Sequence, residues 1–168
     1  MDGANCGVLA SQLPWPLFHG DWSAYKTALY SVFKRDFIDS KPTFQGLPVD
    51  IIHQQTLEGK ERSFWHIISQ GKDDNVRTLD PDRCANLPRV KSLIEDDGDC
   101  IEYRLWVKWH DKTKRDRYYV WCKSIDYMVV LEYRKSHFKL ITAYNVIPNK
   151  VGEYEKEYAK YIKTKTPT

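Results

Sequence analysis

The sequence predicts an α+β domain in which helices precede a curved antiparallel sheet of four to five strands, with a helix at the C-terminus. Three observations carry this. Ile101, Tyr103, Leu105, Val107 and Trp109 alternate with Glu102, Arg104, Trp106 and Lys108, which is the period of a strand. Further short β-type runs follow within residues 101 to 147, joined by short polar links, and so make a meander. Upstream, Trp22, Tyr25, Leu29, Val32, Phe33 and Phe37 recur at three- and four-residue spacing, the signature of an amphipathic helix.

In chain order, the Pro- and Gly-containing stretch Leu13 to Gly20 is an irregular lead-in, and Asp21 is the N-cap of the first helix, which reaches Ile38. Pro42, Gly46 and Pro48 break the chain before a short strand at Val49 to Ile52 and a turn at Glu58-Gly59-Lys60. Ser63 to Ser69 is expected as a strand, although the run Phe64-Trp65-His66-Ile67-Ile68 also suits the start of a helix. The polar segment Gly71 to Asp80 is a loop. Asp80 then caps a helix with Pro81 in its first turn. That helix extends toward Glu95, kinked or divided by Pro88, and the acidic turn Asp96-Asp97-Gly98-Asp99 ends it. Strands follow at Arg117 to Lys123, Tyr127 to Tyr133 and Phe138 to Val146. Pro148 stops the last one, and Tyr154, Tyr158 and Tyr161 mark a charged terminal helix with a Lys-rich tail.

A chain of 168 residues suits one domain with a modest elaboration. The expected division is an N-terminal helical extension, residues 1 to 60, packed on a sheet domain of residues 61 to 168. No apolar run approaches the roughly 18 to 20 residues of a membrane span, and Met1 to Gly20 lacks the pattern of a secretory signal. The expectation is a soluble, cytoplasmic protein without a membrane partner. Cys6, Cys84, Cys100 and Cys122 contain no CxxC pair, so neither a metal site nor a disulfide framework is indicated. Gly-rich phosphate loops, HExxH and GxSxG are absent too, and no cofactor is expected. Net charge is only +3, yet seven basic residues stand against two acidic ones between Arg104 and Lys123. That local excess points to an acidic partner.

Together, Phe64-Trp-His66-Ile-Ile, the Asp-Pro-Asp-Arg83 helix with Arg89, the basic aromatic hairpin, and Phe138-Lys-Leu-Ile-Thr142-Ala-Tyr144 resemble phage- and plasmid-associated nucleases of the barnase–EndoU–colicin–RelE (BECR) group. The resemblance covers roughly residues 60 to 147. It implies a RelE- or barnase-like sheet domain that holds RNA on its concave face and cuts it without a metal. It further implies a toxin-like role or one in phage–host conflict, with an antitoxin or other regulatory protein as a partner.

Metal-independent RNA cleavage needs a base for the ribose 2′-hydroxyl, a cation for the phosphorane and an acid for the leaving 5′-oxygen. His66 is the expected base or acid, since imidazole exchanges protons near neutrality. A buried histidine with one hydrogen-bond partner is the competing account. Arg83 and Arg89 are expected phosphate ligands, a solvated helix face being the plainer explanation. Thr142 and Tyr144 share one strand face, where hydroxyls reach phosphate or simply pack a sheet. Lys60, Arg62 and Lys72 lie near His66 in sequence and are further candidates. For RNA binding, Arg104, Trp106 and Lys108 on one strand and Arg117, Tyr119, Trp121 and Lys123 on the next interleave cations with rings that stack bases. Against this, the rings of such a face also serve to cover a helix. His110 and His137 in the linking loops are weaker candidates. The rival class is a non-catalytic nucleic-acid-binding or protein-interaction module that uses the same face. It has no need of His66.

Overall fold

In the computed structural model, residues 9–96 and 102–166 are described. Helix α1 (Trp22–Phe33) starts where expected, with the Asp21 carboxylate accepting a hydrogen bond from the Ala24 amide at 2.9 Å. That bond satisfies one of the donors a first turn leaves open. The helix buries Tyr25, Leu29 and Phe33 and widens into π-type turns at Lys34–Asp39, which bury Phe37. Strands β1 (Thr43–Phe44) and β2 (Leu47–Asp50) then pair antiparallel around Gln45-Gly46, both at positive φ. The strand expected at Val49 to Ile52 therefore begins and ends two residues earlier.

Ser63 to Ser69 is not a strand: Arg62–Ile68 forms helix α2. Phe64, Ile67 and Ile68 fall at helical spacing and are buried, with the Phe64 ring 5.2 Å from Tyr30 and 5.5 Å from Phe33. A five-residue apolar run does not distinguish the two periods; packing against α1 selects the helix. The loop expected at Gly71 to Asp80 includes half of a small hairpin, β3 (Ser69–Gln70) with β4 (Thr78–Leu79). Asp80 caps α3 (Pro81–Asn86) by accepting from the amides of Asp82 and Arg83, and Pro88 separates it from α4 (Arg89–Ile94). Of the acidic turn at 96 to 99, all but Asp96 lies outside the described residues, as does Ile101.

Strands β5 (Tyr103–His110), β6 (Arg115–Cys122), β7 (Tyr127–Tyr133) and β8 (Phe138–Asn145) form the predicted meander. β2 adds parallel to β8, Val49 opposite Phe138, so the sheet is mixed and runs β1-β2-β8-β7-β6-β5. Helix α5 (Pro148–Lys165) follows. The period-two pattern sorts side chains between two apolar layers. Tyr103, Leu105, Val120, Cys122, Tyr127, Val129 and Leu131 join the layer formed with α1 to α4. Trp106, Trp121, Met128 and Val130 join the layer formed with Tyr154, Tyr158 and Tyr161 of α5. In β8 the register slips by one, Val130 facing Thr142 while Leu131 faces Leu140, so Ile141 is an extra residue. Such a bulge bends the strand and re-aims its side chains, and Leu140 and Ala143, three apart, both reach the first layer. Residues on either side of position 60, among them Phe33 and Phe64, share that layer. No helix among the described residues is long and apolar enough to cross a membrane.

Candidate functional site

α2 and α3 pack against β8, and their polar residues gather there. The His66 ring is only partly exposed, and its Nε2 lies 2.7 Å from Asp74 Oδ1. Asp74 also meets Arg62 Nε at 2.6 Å and Arg77 at 3.7 Å. Burial pushes the His66 imidazole below its ordinary value; the Asp74 bond opposes this, and the charges of Arg77 and Arg62 reinforce it. Burial by itself would raise the Asp74 carboxyl, but the bond from His66 and the nearby cations hold it below the usual range. The outcome is a neutral imidazole near pH 7, oriented by a carboxylate on one nitrogen, with the other nitrogen not used in that bond.

Arg77 is fixed by three bonds of 2.9 Å, from Nε to Ser69 Oγ and from its two terminal nitrogens to the carbonyls of Gly71 and Ser69. Gly71 has φ +144, and a Cβ there would sit 2.9 Å from the Val76 carbonyl. Only glycine lets the loop fold back this closely. Arg83 donates to the carbonyls of His66 (3.2 Å) and Ser69 (2.9 Å), with its guanidinium 5.7 Å from the Tyr144 ring. Arg83, Tyr144, Asp80, Gln70, Lys150 and Tyr154 line a cavity of about 230 Å³. The Tyr144 and Tyr154 hydroxyls are 2.9 Å apart. Burial, then the bond to Tyr154, keeps Tyr144 protonated far above its ordinary value, so it is a donor at any physiological pH.

His66, Arg83 and Tyr144 are thus linked, with Arg83 bonding the backbone of the first and covering the ring of the third. Thr142 pairs with Val130 beside the bulge and does not line the cavity. Arg89 is turned elsewhere, donating to the Ala10 carbonyl at 3.1 Å and to Asn86 Oδ1 at 3.2 Å. It anchors the N-terminal segment. Asp74, Arg77 and Lys150 were not predicted. Asp74 and Arg77 had one legible signal, a conspicuously charged loop shortly after His66.

The predicted stacking face is covered. Trp106 and Trp121 are 1% and 0% exposed, and α5 supplies their partners. Glu157 accepts from Trp106 Nε1 at 3.0 Å and from Lys108 at 2.6 Å, while Lys123 pairs with Glu155 at 2.6 Å. The Arg104 guanidinium lies 5.2 Å from the Tyr158 ring, and Tyr119 stacks on Trp106. Arg117 pairs with Glu132. The rings stack on protein here, because α5 carries tyrosines and glutamates in register with them. Among the loop candidates, His110 bonds Thr113, His137 bonds Ser136, and Lys60 pairs with Glu58.

Among the described residues, no three His, Cys, Asp or Glu side chains are grouped to hold a metal ion. Comparison of the chain with protein families, curated proteins and solved structures finds no match.

Proposed function

We propose that the protein is a metal-independent endoribonuclease whose site lies where α2, α3 and β8 meet. The observation that carries this is the His66–Asp74 bond set among Arg62, Arg77 and Arg83. A neutral, carboxylate-oriented imidazole is a competent base for the 2′-hydroxyl, and arginines answer the charge of the phosphorane. Tyr144, held protonated, is the proposed donor toward the leaving oxygen, with Arg83 bridging it to His66. Similarity of residues 60 to 147 to the nuclease pattern described above supports the same reading, including a toxin-like role restrained by a partner protein and action in the cytoplasm.

A second reading, a non-catalytic nucleic-acid-binding module, loses the strand face it was expected to use, because α5 covers it, and needs another basic surface. One experiment separates them. Purified protein is incubated with total RNA in EDTA, alongside His66→Ala and the more exposed Arg62→Ala. Cleavage that leaves 2′,3′-cyclic phosphate ends and falls by about 10²-fold or more in His66→Ala is expected. Intact RNA, or cleavage undiminished in His66→Ala, would remove the catalytic reading.

A further inference from the structure

At the opposite reach of the sheet, the β5–β6 turn (residues 111–114) and the β7–β8 turn (residues 134–137) lie at the same end, since β6 and β7 pair with Arg117 opposite Glu132. Glu132, with 0% exposure, ties the two turns together. It accepts from Thr113 Oγ1 of the first at 2.8 Å and meets Arg134 of the second at 2.6 Å, with Arg117 at 3.2 Å. Beside this clamp opens a groove of about 570 Å³ bordered by Trp109, Lys114, Arg115, Tyr133, Arg134 and Lys135. Trp109 is 54% exposed and Tyr133 36%. Among the described residues, Asp116 is the one carboxylate that lines the groove. Lys114 lies 3.8 Å from Asp111, both side chains largely in water, a pair worth little.

The backbone adds an independent observation. Lys114 and Lys135, one at each tip, occupy left-handed positions with φ of +53 and +68. Glycine or asparagine takes this conformation more easily than lysine does. Lysine at both tips, against that cost, suits a surface whose charge is used.

We infer that this groove binds single-stranded RNA, the rings of Trp109 and Tyr133 stacking bases while Lys114, Arg115 and Lys135 meet phosphates. Exposed rings between cations match unstacked bases on a charged backbone. An acidic protein segment would satisfy the cations and leave the rings idle. The inference rests on the ribonuclease reading for its choice of RNA, and it places substrate capture away from the cutting site.

The test uses the full chain and a fluorescein-labelled oligouridine of about a dozen nucleotides, fully 2′-O-methylated so that it lacks the attacking hydroxyl. Fluorescence anisotropy should show saturable binding. Trp109→Ala should weaken it by roughly 5- to 100-fold. The double variant Lys114→Gln/Lys135→Gln should weaken it and lower the slope of log affinity against log salt by about 1 to 1.5. These side chains are exposed, so circular dichroism should match wild type. Absent binding, or binding indifferent to both variants, overturns the inference. So does binding that ignores Trp109→Ala and is displaced equally by polyglutamate, which would assign the groove to an acidic protein. Trp109-dependent binding without cleavage by wild type would sink the catalytic reading alone, and cleavage without such binding would sink this surface alone.

Discussion

His66 shows how one side chain's surroundings set its chemistry. Burial is the main influence on it, opposed by Asp74 and reinforced by Arg77 and Arg62. The folded value therefore lies below the unfolded one of about 6.5. As pH falls, the unfolded chain takes up this proton first, so the histidine's contribution to stability is complete above about 6.5 and is lost as pH drops through the depressed folded value. If His66 is the base, cleavage rises with pH on a limb centred below 6.5. Removing Asp74 removes what holds the value up, so Asp74→Ala should move the midpoint lower still. Titration of the His66 ring by NMR checks both statements, and a midpoint at or above 6.5 in wild type would contradict them. The histidine itself was legible from its type and its apolar neighbours. Its carboxylate partner was not, because Asp74 reaches it only through the path of a loop.

At the scale of elements, the small hairpin of β3 and β4 positions this group. The loop between them carries Asp74 and Arg77, and Gly71 lets it turn back, since a Cβ would press on the Val76 carbonyl. Gly71→Ala should displace Arg77 from Ser69 and destabilise the fold by about 1–3 kcal/mol, with a loss of any His66-dependent cleavage that exceeds what the stability change explains. Urea unfolding measures the first effect, and a change within about 0.5 kcal/mol would show that the loop relaxes freely. Elements with strong local signals were legible. The Asp21 and Asp80 caps and the break at Pro88 act through neighbouring backbone, and β5 shows an unbroken period of two. Where the signal was a short apolar run, as in α2, the choice between helix and strand belonged to the partner surface, here Tyr30 and Phe33.

For the whole molecule, the decisive arrangement is a mixed sheet between two apolar layers, one formed with α1 to α4 and the other with α5. Trp121 is completely buried in the second layer, although its strand reads as basic and aromatic. Trp121→Ala should cost about 3–5 kcal/mol in urea unfolding, far more than an open platform residue would. A cost below about 1 kcal/mol would mean that α5 does not seal this face in solution.

The sequence by itself determined the class of fold, the meander, the helix caps and the residue types able to handle a proton and a phosphate, because each depends on near neighbours or on a repeating period. Tertiary structure alone decided that β2 joins the sheet in parallel, that α5 lies over Trp106 and Trp121, that Asp74 meets His66 while Arg89 turns away, and that two distant turns form one basic groove. Those outcomes depend on which surfaces meet in space, and a local pattern of hydropathy and charge holds no record of that.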